Sequence, residues 1–93
     1  MARTLLSEGE IASRMIEVPG WSLRGKAIQR TWKFKDFKHA LAFINRVGSL
    51  AEAANHHPDI WNSWNRVKLS LTTHDSGGLT ARDFELAKQI DAL

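Results

Sequence analysis

Two of the four histidines in the chain, His56 and His57, stand side by side immediately before Pro58. Imidazole gains and loses a proton near neutral pH, so such a pair can serve general acid–base chemistry. Proline disfavours helical geometry in the preceding residue, and the helix predicted upstream should therefore end near Asn55 or His56. If its last turn reaches His56, Glu52 lies on the same helix face, where its carboxylate could orient and charge that imidazole.

A third histidine and a carboxyl group follow later in the chain. Residues 66–73 alternate apolar and polar side chains as a strand does, and His74 should emerge at the strand's end on the polar side. Asp83 stands three residues after Thr80, so it either completes a helix capping box or serves as a partner for an imidazole. Ends of secondary-structure elements often meet in a cleft. The candidate catalytic residues are Glu52, His56, His57, His74 and Asp83.

The composition is that of one ordinary soluble domain. Hydrophobic residues make up 43% and charged residues 25% of the 93 positions, which argues against a disordered or fibrous chain. There is no cysteine, which excludes disulfides and thiolate metal sites. The apolar run within residues 1–6 is too short for a secretory signal, and no stretch approaches the length of a membrane span. We therefore expect a single cytoplasmic domain over residues 1–93.

The net charge of +3 is small but unevenly placed. Residues 24–38 carry six cations and only one anion, Asp36. The cations are Arg24, Lys26, Arg30, Lys33, Lys35 and Lys38. Such a strip beside aromatic residues could contact nucleic acid, but we interpret it as a solvated strand whose lysines discourage aggregation.

Three helices are predicted from caps and from apolar residues at three- and four-residue steps. The first begins at Glu8 after Ser7, the second covers 37–55 after Asp36, and the third follows Thr80. The predicted inner face of the second consists of Phe37, Ala40, Leu41, Ile44, Val47 and Ala51. Phe43 and Leu50 lie off that stripe, as peripheral core or as an oligomer contact, and His39 is expected at the surface. The third helix should bury Phe84, Ala87, Ile90 and Leu93.

Four strands are predicted at 21–23, 27–34, 59–62 and 66–73, joined in hairpins around 24–26 and 63–65. No parallel crossover pattern is present. The sequence therefore predicts an α+β fold, a four-stranded antiparallel sheet with three helices packed on one face. The other face would be left for a substrate or another subunit.

The spacing of the candidate residues resembles the signature of the pterin-4a-carbinolamine dehydratases. The motif Glu52-x-x-x-His56-His57-Pro58 is followed after five residues by Trp64, after nine more by His74 and after eight more by Asp83. Segments 20–21, 34–37 and 69–74 also resemble recurrent segments of this family. The resemblance covers nearly the whole chain.

This resemblance implies an α+β fold and a cofactor-free dehydratase, a carbon–oxygen lyase that forms a homodimer or homotetramer. The enzyme would convert 4a-hydroxytetrahydropterin to quinonoid dihydropterin, recycling the pterin after aromatic amino acid hydroxylation. By similarity His56 and His74 transfer protons and His57 holds the substrate. The carboxylate of Asp83 would orient or charge the imidazole of His74, and that of Glu52 would do so for His56. The implied substrate contacts are His56, His57, Pro58, Thr73, His74, Asp75 and Ser76. Trp21 or Trp61 could stack on the pterin.

Three other functions stay open from the sequence. Three histidines with Glu52 or Asp83 are a legitimate zinc set, although neighbouring histidines rarely aim at one ion. A non-enzymatic binding module is the second, since relatives include transcriptional coactivators and suspected assembly factors, and Phe43 and Leu50 would mark its contact surface. Nucleic-acid binding through the basic strip is the third, and salt-dependent retention on DNA would reveal it.

Overall fold

The computed structural model describes residues 4–93, so the first three residues of the apolar N-terminal run lie outside the described residues. The helices are α1 (Glu8–Met15), α2 (Phe37–Ala54) and α3 (Ala81–Asp91). The strands are β1 (Ser22–Arg24), β2 (Ala27–Lys33), β3 (Asp59–Ser63) and β4 (Arg66–Leu71), followed by a short 3-10 turn at His74–Ser76. Between residues 4 and 93, no helix is long and apolar enough to cross a membrane.

The four strands form one antiparallel sheet in the order β1-β2-β4-β3, which confirms the predicted α+β fold. The hairpin between β1 and β2 turns at Gly25, whose φ is 58°, and the hairpin between β3 and β4 turns at Trp64, whose φ is 48°. The inner face of the sheet packs against the helices. Its fully buried side chains are Ile28, Val67, Leu69 and Leu71.

Helix α2 buries a face rotated toward Phe43 from the predicted stripe. The prediction that Phe37 and Leu41 lie inside was wrong, since they are 45% and 43% exposed. Phe43 belongs to the core because two aromatic rings of β2 and its end, Trp32 and Phe34, lie 4.8 and 4.9 Å from its ring centre. Packing against these rings set the orientation of the helix, which the spacing of apolar residues alone did not reveal. The buried residues of α2 are Ala40, Phe43, Val47 and Ala51.

The helix starts are those expected from the sequence. The Ser7 hydroxyl oxygen accepts a hydrogen bond from the backbone N–H of Glu10, and the Glu10 carboxylate accepts one from the backbone N–H of Ser7, which forms a complete capping box on α1. On α3, Leu86 is buried although the prediction missed it, and Leu93 lies exposed beyond the helix end, contrary to the prediction.

Arg30 belongs to the basic strip but lies on a different face of the sheet from Lys33. It lies on the helix side of β2, where its Nη1 donates to Asp91 Oδ1 at 2.9 Å and its guanidinium carbon lies 5.0 Å from the Trp32 ring centre. Lys33 is an odd number of positions further along the same strand, so it points to the opposite face. The six cations therefore do not form one continuous surface.

Candidate functional site

The end of α2 determines where the two adjacent histidines lie. The helix stops at Ala54, and Asn55 takes the left-handed conformation with φ 48° and ψ 43°. The N–H groups of Asn55 and His56 donate to the carbonyls of Glu52 (3.2 Å) and Ala51 (3.1 Å), which is the Schellman pattern of a helix C-terminus. Because the chain reverses at Asn55, His56 turns inward and is buried while His57 remains exposed.

His56 pairs with Asp83 of α3. Its Nε2 lies 2.6 Å from Asp83 Oδ1, and both side chains are buried. The sequence had assigned Asp83 to His74 and Glu52 to His56, and both pairings are wrong. The last turn of α2 does not reach His56, so Glu52 lies away from it, and the inward turn brings His56 to the first turn of α3.

Asp83 also completes the capping box of α3, so both functions considered for it from the sequence are present. Its Oδ2 accepts the backbone N–H of Thr80 at 2.9 Å and the hydroxyl of Thr73 at 2.9 Å. The two threonine hydroxyls lie 2.8 Å apart. One buried carboxylate thus joins a histidine, a helix start and the segment that follows β4.

The exposed histidine has its own carboxylate. His57 Nε2 contacts Glu52 Oε2 across the end of α2. Both side chains reach solvent, since Glu52 lies on the last turn of the helix and His57 follows the reversal at Asn55. The adjacent histidines therefore have different partners in different environments.

His74 begins the 3-10 turn that follows β4. The strand ends at Leu71 rather than at residue 73, because the Thr73 carbonyl accepts from the N–H groups of Ser76 (3.0 Å), Gly77 (3.0 Å) and Gly78 (3.3 Å). These bonds turn the backbone out of the sheet. His74 is consequently exposed at the top of a tight turn.

One cleft of about 250 Å³ contains all three of these histidines. It lies where the end of α2, the segment after β4 and the start of α3 meet. The lining residues are Asn55, His56, His57, Thr72, Thr73, His74, Asp75 and Arg82. Among the predicted site residues, Pro58 and Ser76 do not line it, while Asp83 and Glu52 are linked to it through His56 and His57.

Neither tryptophan proposed to stack on a ligand lines the cleft. Trp21 is buried in the core, and its Nε1 donates to Asp91 Oδ1 at 2.9 Å. Trp61 is exposed on β3, where Lys68 Nζ lies 5.8 Å from its ring centre. The cleft walls are imidazoles, polar side chains and backbone.

Arg82 is a cleft residue that the sequence prediction missed. Its Nη2 donates to the carbonyls of Asn55 at 2.6 Å and Ala54 at 3.3 Å, so a cation of α3 caps the end of α2. A positive charge in the first turn of a helix opposes the helix dipole, which is a signal that Arg82 has a partner elsewhere. Its bonds hold the two helix ends together beneath the histidines.

The zinc set considered from the sequence is not formed in the described part of the chain. No group of three or more His, Asp or Glu side chains there could hold a metal ion. His56 and His57 diverge at Asn55, and each nitrogen Nε2 is already opposite a carboxylate oxygen.

The sequence as a whole matches one family model. The model described as Pterin 4 alpha carbinolamine dehydratase covers residues 4–93. A protein of Thermomicrobium roseum, provisionally named pterin-4-alpha-carbinolamine dehydratase, is 53% identical over 93 residues, which are 100% of this chain and 98% of the relative. A relative of the same provisional name from Nostoc sp. is 52% identical over 89 residues, covering 96% of each chain.

Two solved structures share the fold. A crystal structure of a transcriptional coactivator/pterin dehydratase from Brucella melitensis superimposes with a TM-score of 0.89 at 37% identity, covering 94% of this chain and 95% of that one. A pterin dehydratase-like protein identified as a RuBisCO assembly factor of the alpha-carboxysome gives a TM-score of 0.67 at 22% identity, covering 78% and 87%. The second likeness concerns the fold alone.

Proposed function

The chain belongs to the pterin 4 alpha carbinolamine dehydratase family, and from this premise we propose that it dehydrates 4a-hydroxytetrahydropterin to quinonoid dihydropterin. The reaction would need no cofactor and would return the pterin to use after aromatic amino acid hydroxylation, in the cytoplasm. The observation that carries the proposal is the convergence of His56, His57 and His74, from two distant segments, on one small cleft.

The reaction asks for two proton transfers at neighbouring atoms of the pterin. The hydroxyl on C4a must receive a proton so that it leaves as water, while the N5 electron pair forms the new C=N bond and N5 loses its proton. Imidazole suits both transfers near neutral pH, and general acid–base catalysis is typically worth roughly 10²- to 10⁴-fold in rate. Two histidines facing one bound ring are sufficient for this chemistry.

We assign the two transfers to His56 and His74. His56 is buried and held by the Asp83 carboxylate at 2.6 Å, which fixes the ring's orientation. His74 stands opposite on the turn after β4, exposed to whatever occupies the cleft. His57, paired with Glu52 in solvent, is assigned to holding the substrate.

The pterin ring would lie among the residues that line the cleft. The backbone and side chains of Thr73, His74 and Asp75 would contact its edges. The cleft volume of about 250 Å³ is just below the usual range of ligand sites, in agreement with a small bicyclic ring. Pro58 and Ser76, which lie outside the lining, are expected to act only through the backbone turns they belong to.

A dehydration assay with freshly generated 4a-hydroxytetrahydropterin tests the function and the roles together. The wild-type protein should accelerate the loss of water, and His56→Ala and His74→Ala should each reduce kcat by roughly 10²- to 10⁴-fold. His57→Ala should raise KM more than it lowers kcat, because its assigned role is in binding.

His39→Ala is the matched control. His39 is also paired with a carboxylate, Asp36, but it lies at the other end of α2 from the cleft, so activity should be unchanged. Wild-type protein without any acceleration would refute the function. Full activity in both His56→Ala and His74→Ala would refute the roles.

We also propose a homodimer or homotetramer, as the family resemblance implies. The contact surface suggested by the exposed apolar side chains is Phe37 and Leu41 on α2, rather than Phe43 and Leu50, which pack in or against the core. The same surface would serve the alternative function, a binding module in transcription or assembly. Sedimentation of wild type and Leu41→Glu would test it: the variant should dissociate while keeping its fold.

A further inference from the structure

We infer that Thr73 and Thr80 are positioning residues: their buried hydroxyls hold Asp83 so that neutral His56 carries its proton on Nε2 and presents Nδ1 to the cleft. The inference rests on the proposed function, since it says how the acid–base group of that site is held. It concerns a hydrogen-bond chain whose side chains are almost completely buried: Thr80, Thr73, Asp83 and His56.

The direction of each hydrogen bond in this chain follows from counting protons. An ionised carboxylate only accepts, so the Thr73 hydroxyl donates its single proton to Asp83 Oδ2 at 2.9 Å. The 2.8 Å bond between the two threonines must then be donated by Thr80. The Thr80 oxygen in turn accepts the backbone N–H of Arg82 at 3.3 Å. Each hydroxyl therefore donates once, and its oxygen accepts from at least one further group, which for Thr80 includes the backbone N–H of Asp83 as well.

The other oxygen of the Asp83 carboxylate determines which tautomer His56 adopts. With Oδ2 occupied by Thr73 and the Thr80 N–H, Oδ1 is left to accept from His56 Nε2 at 2.6 Å. This bond requires a proton on Nε2, so the neutral ring has its lone pair on Nδ1. Asp83 cannot rotate about its last bond without breaking at least two of these contacts.

The free nitrogen of His56 reaches the cleft. Over residues 4–93 no buried side-chain nitrogen or oxygen lacks a hydrogen-bond partner, and no protein group is bonded to His56 Nδ1. Nδ1 is therefore accessible to solvent, on a residue that lines the cleft. The chain of threonines thus determines which nitrogen a bound molecule meets.

Thr73→Val removes one hydroxyl at nearly constant volume, and Thr73→Ser restores it. Nitrogen-15 NMR of the His56 ring, at a pH where it is neutral, should show the Nε2–H tautomer in wild type and in Thr73→Ser, and a mixture of tautomers in Thr73→Val. In the dehydration assay kcat of Thr73→Val should fall roughly 10- to 100-fold, the effect of one hydrogen bond to a charged group, and Thr73→Ser should recover it.

Thr80→Val is a second variant, at a residue that does not line the cleft. It should shift the His56 tautomer in the same direction as Thr73→Val, but by less. The matched control is Ser7→Ala, which breaks the capping box of α1. It should lower the midpoint of denaturation without changing the His56 tautomer or kcat.

Two outcomes overturn the inference: an unchanged Nε2–H tautomer in both Val variants, or a kcat of Thr73→Ser as low as that of Thr73→Val. Failure of the proposed function is a separate result. Wild-type protein without dehydratase activity would remove that function, whereas a tautomer shift in Thr73→Val would still support the positioning chain.

Discussion

His56 and His57 are adjacent in the chain, each bonded through Nε2 to a carboxylate, yet they lie in opposite environments. The side chains of His56 and Asp83 are 8% and 0% exposed, whereas those of His57 and Glu52 are 56% and 79% exposed. The difference arises at one residue, Asn55, whose left-handed backbone turns the first imidazole inward and leaves the second in solvent. Environment, rather than residue type, separates the two histidines.

The two pairs should differ in energy for the same reason. A buried pair pays for its desolvation and depends on every partner staying in place, whereas an exposed pair is screened by water and contributes about 0–1 kcal/mol. A fixed ring is suited to transferring a proton in a defined direction. An exposed ring is suited to meeting a ligand as it enters, in agreement with the roles proposed for His56 and His57.

The largest expected effect is that of Asp83→Ala compared with Glu52→Ala. Asp83→Ala leaves His56 Nε2, the Thr80 N–H and the Thr73 hydroxyl without their acceptor and should lower the free energy of unfolding by about 3–5 kcal/mol. Glu52→Ala removes an exposed partner and should cost less than about 1 kcal/mol. Chemical denaturation at neutral pH and matched protein concentration measures both.

Equal losses in the two variants would contradict the distinction between the pairs. Asp83→Ala should also lose dehydratase activity under conditions where it remains folded, as checked by circular dichroism. Glu52→Ala should mainly raise KM, because it affects a binding histidine rather than the ring held in the core.

Much of this arrangement could be predicted from local sequence, and the failures share one cause. The capping box at Ser7, the helix start at Thr80 and the alternation of β4 depend on neighbours in the chain, and they were predicted correctly. The partners of Asp83 and Glu52 depend on how far α2 extends and how the chain leaves it. Because Asn55 adopts the left-handed conformation and reverses the chain, Asp83 pairs with His56 and Glu52 pairs with His57.

The same limit applies to packing. The spacing of apolar residues on α2 indicated a buried face but not its rotation, because Phe43 is drawn inward by the rings of Trp32 and Phe34 from a distant strand. The charge of Arg82 in the first turn of α3 indicates a partner elsewhere, but the sequence does not identify that partner, because it consists of backbone carbonyls at the end of another helix. Long-range contacts of this kind appear only once the fold is known.

A smaller effect is expected at Asn55 itself. Asn55→Ala places a β-carbon in the left-handed region without the local hydrogen bonding of asparagine and should cost roughly 1–2 kcal/mol, whereas Asn55→Gly should cost little. Denaturation of the two variants gives the difference directly. If the turn is what separates the histidines, Asn55→Ala should also reduce activity, and Asn55→Gly should not. Equal stability of the two would mean that the turn is held by its surroundings, such as Arg82, rather than by Asn55.

The smallest effect concerns a third imidazole–carboxylate pair, Asp36 and His39, at the exposed start of α2. Asp36 Oδ1 lies 2.6 Å from His39 Nδ1 and accepts the His39 backbone N–H at 2.9 Å. These bonds, the side-chain one foremost, hold the pKa of Asp36 below its ordinary value. A carboxyl group whose pKa is lowered by folding stabilises the folded state above its unfolded pKa, about 3.9, and that contribution is lost as the pH falls through the folded pKa.

Asp36→Asn isolates this contribution, because asparagine also caps a helix but does not titrate. The stability difference between wild type and Asp36→Asn should shrink as the pH falls below about 4, as measured by denaturation across the acid range. Other carboxylates, such as Glu10 and Glu17, are present in both proteins, so their contributions cancel in the stability difference. Added salt should weaken the effect, since the pair is exposed. A stability difference that stays the same at every pH would show that Asp36 acts only as a helix cap. Its charge would then contribute nothing to stability through His39.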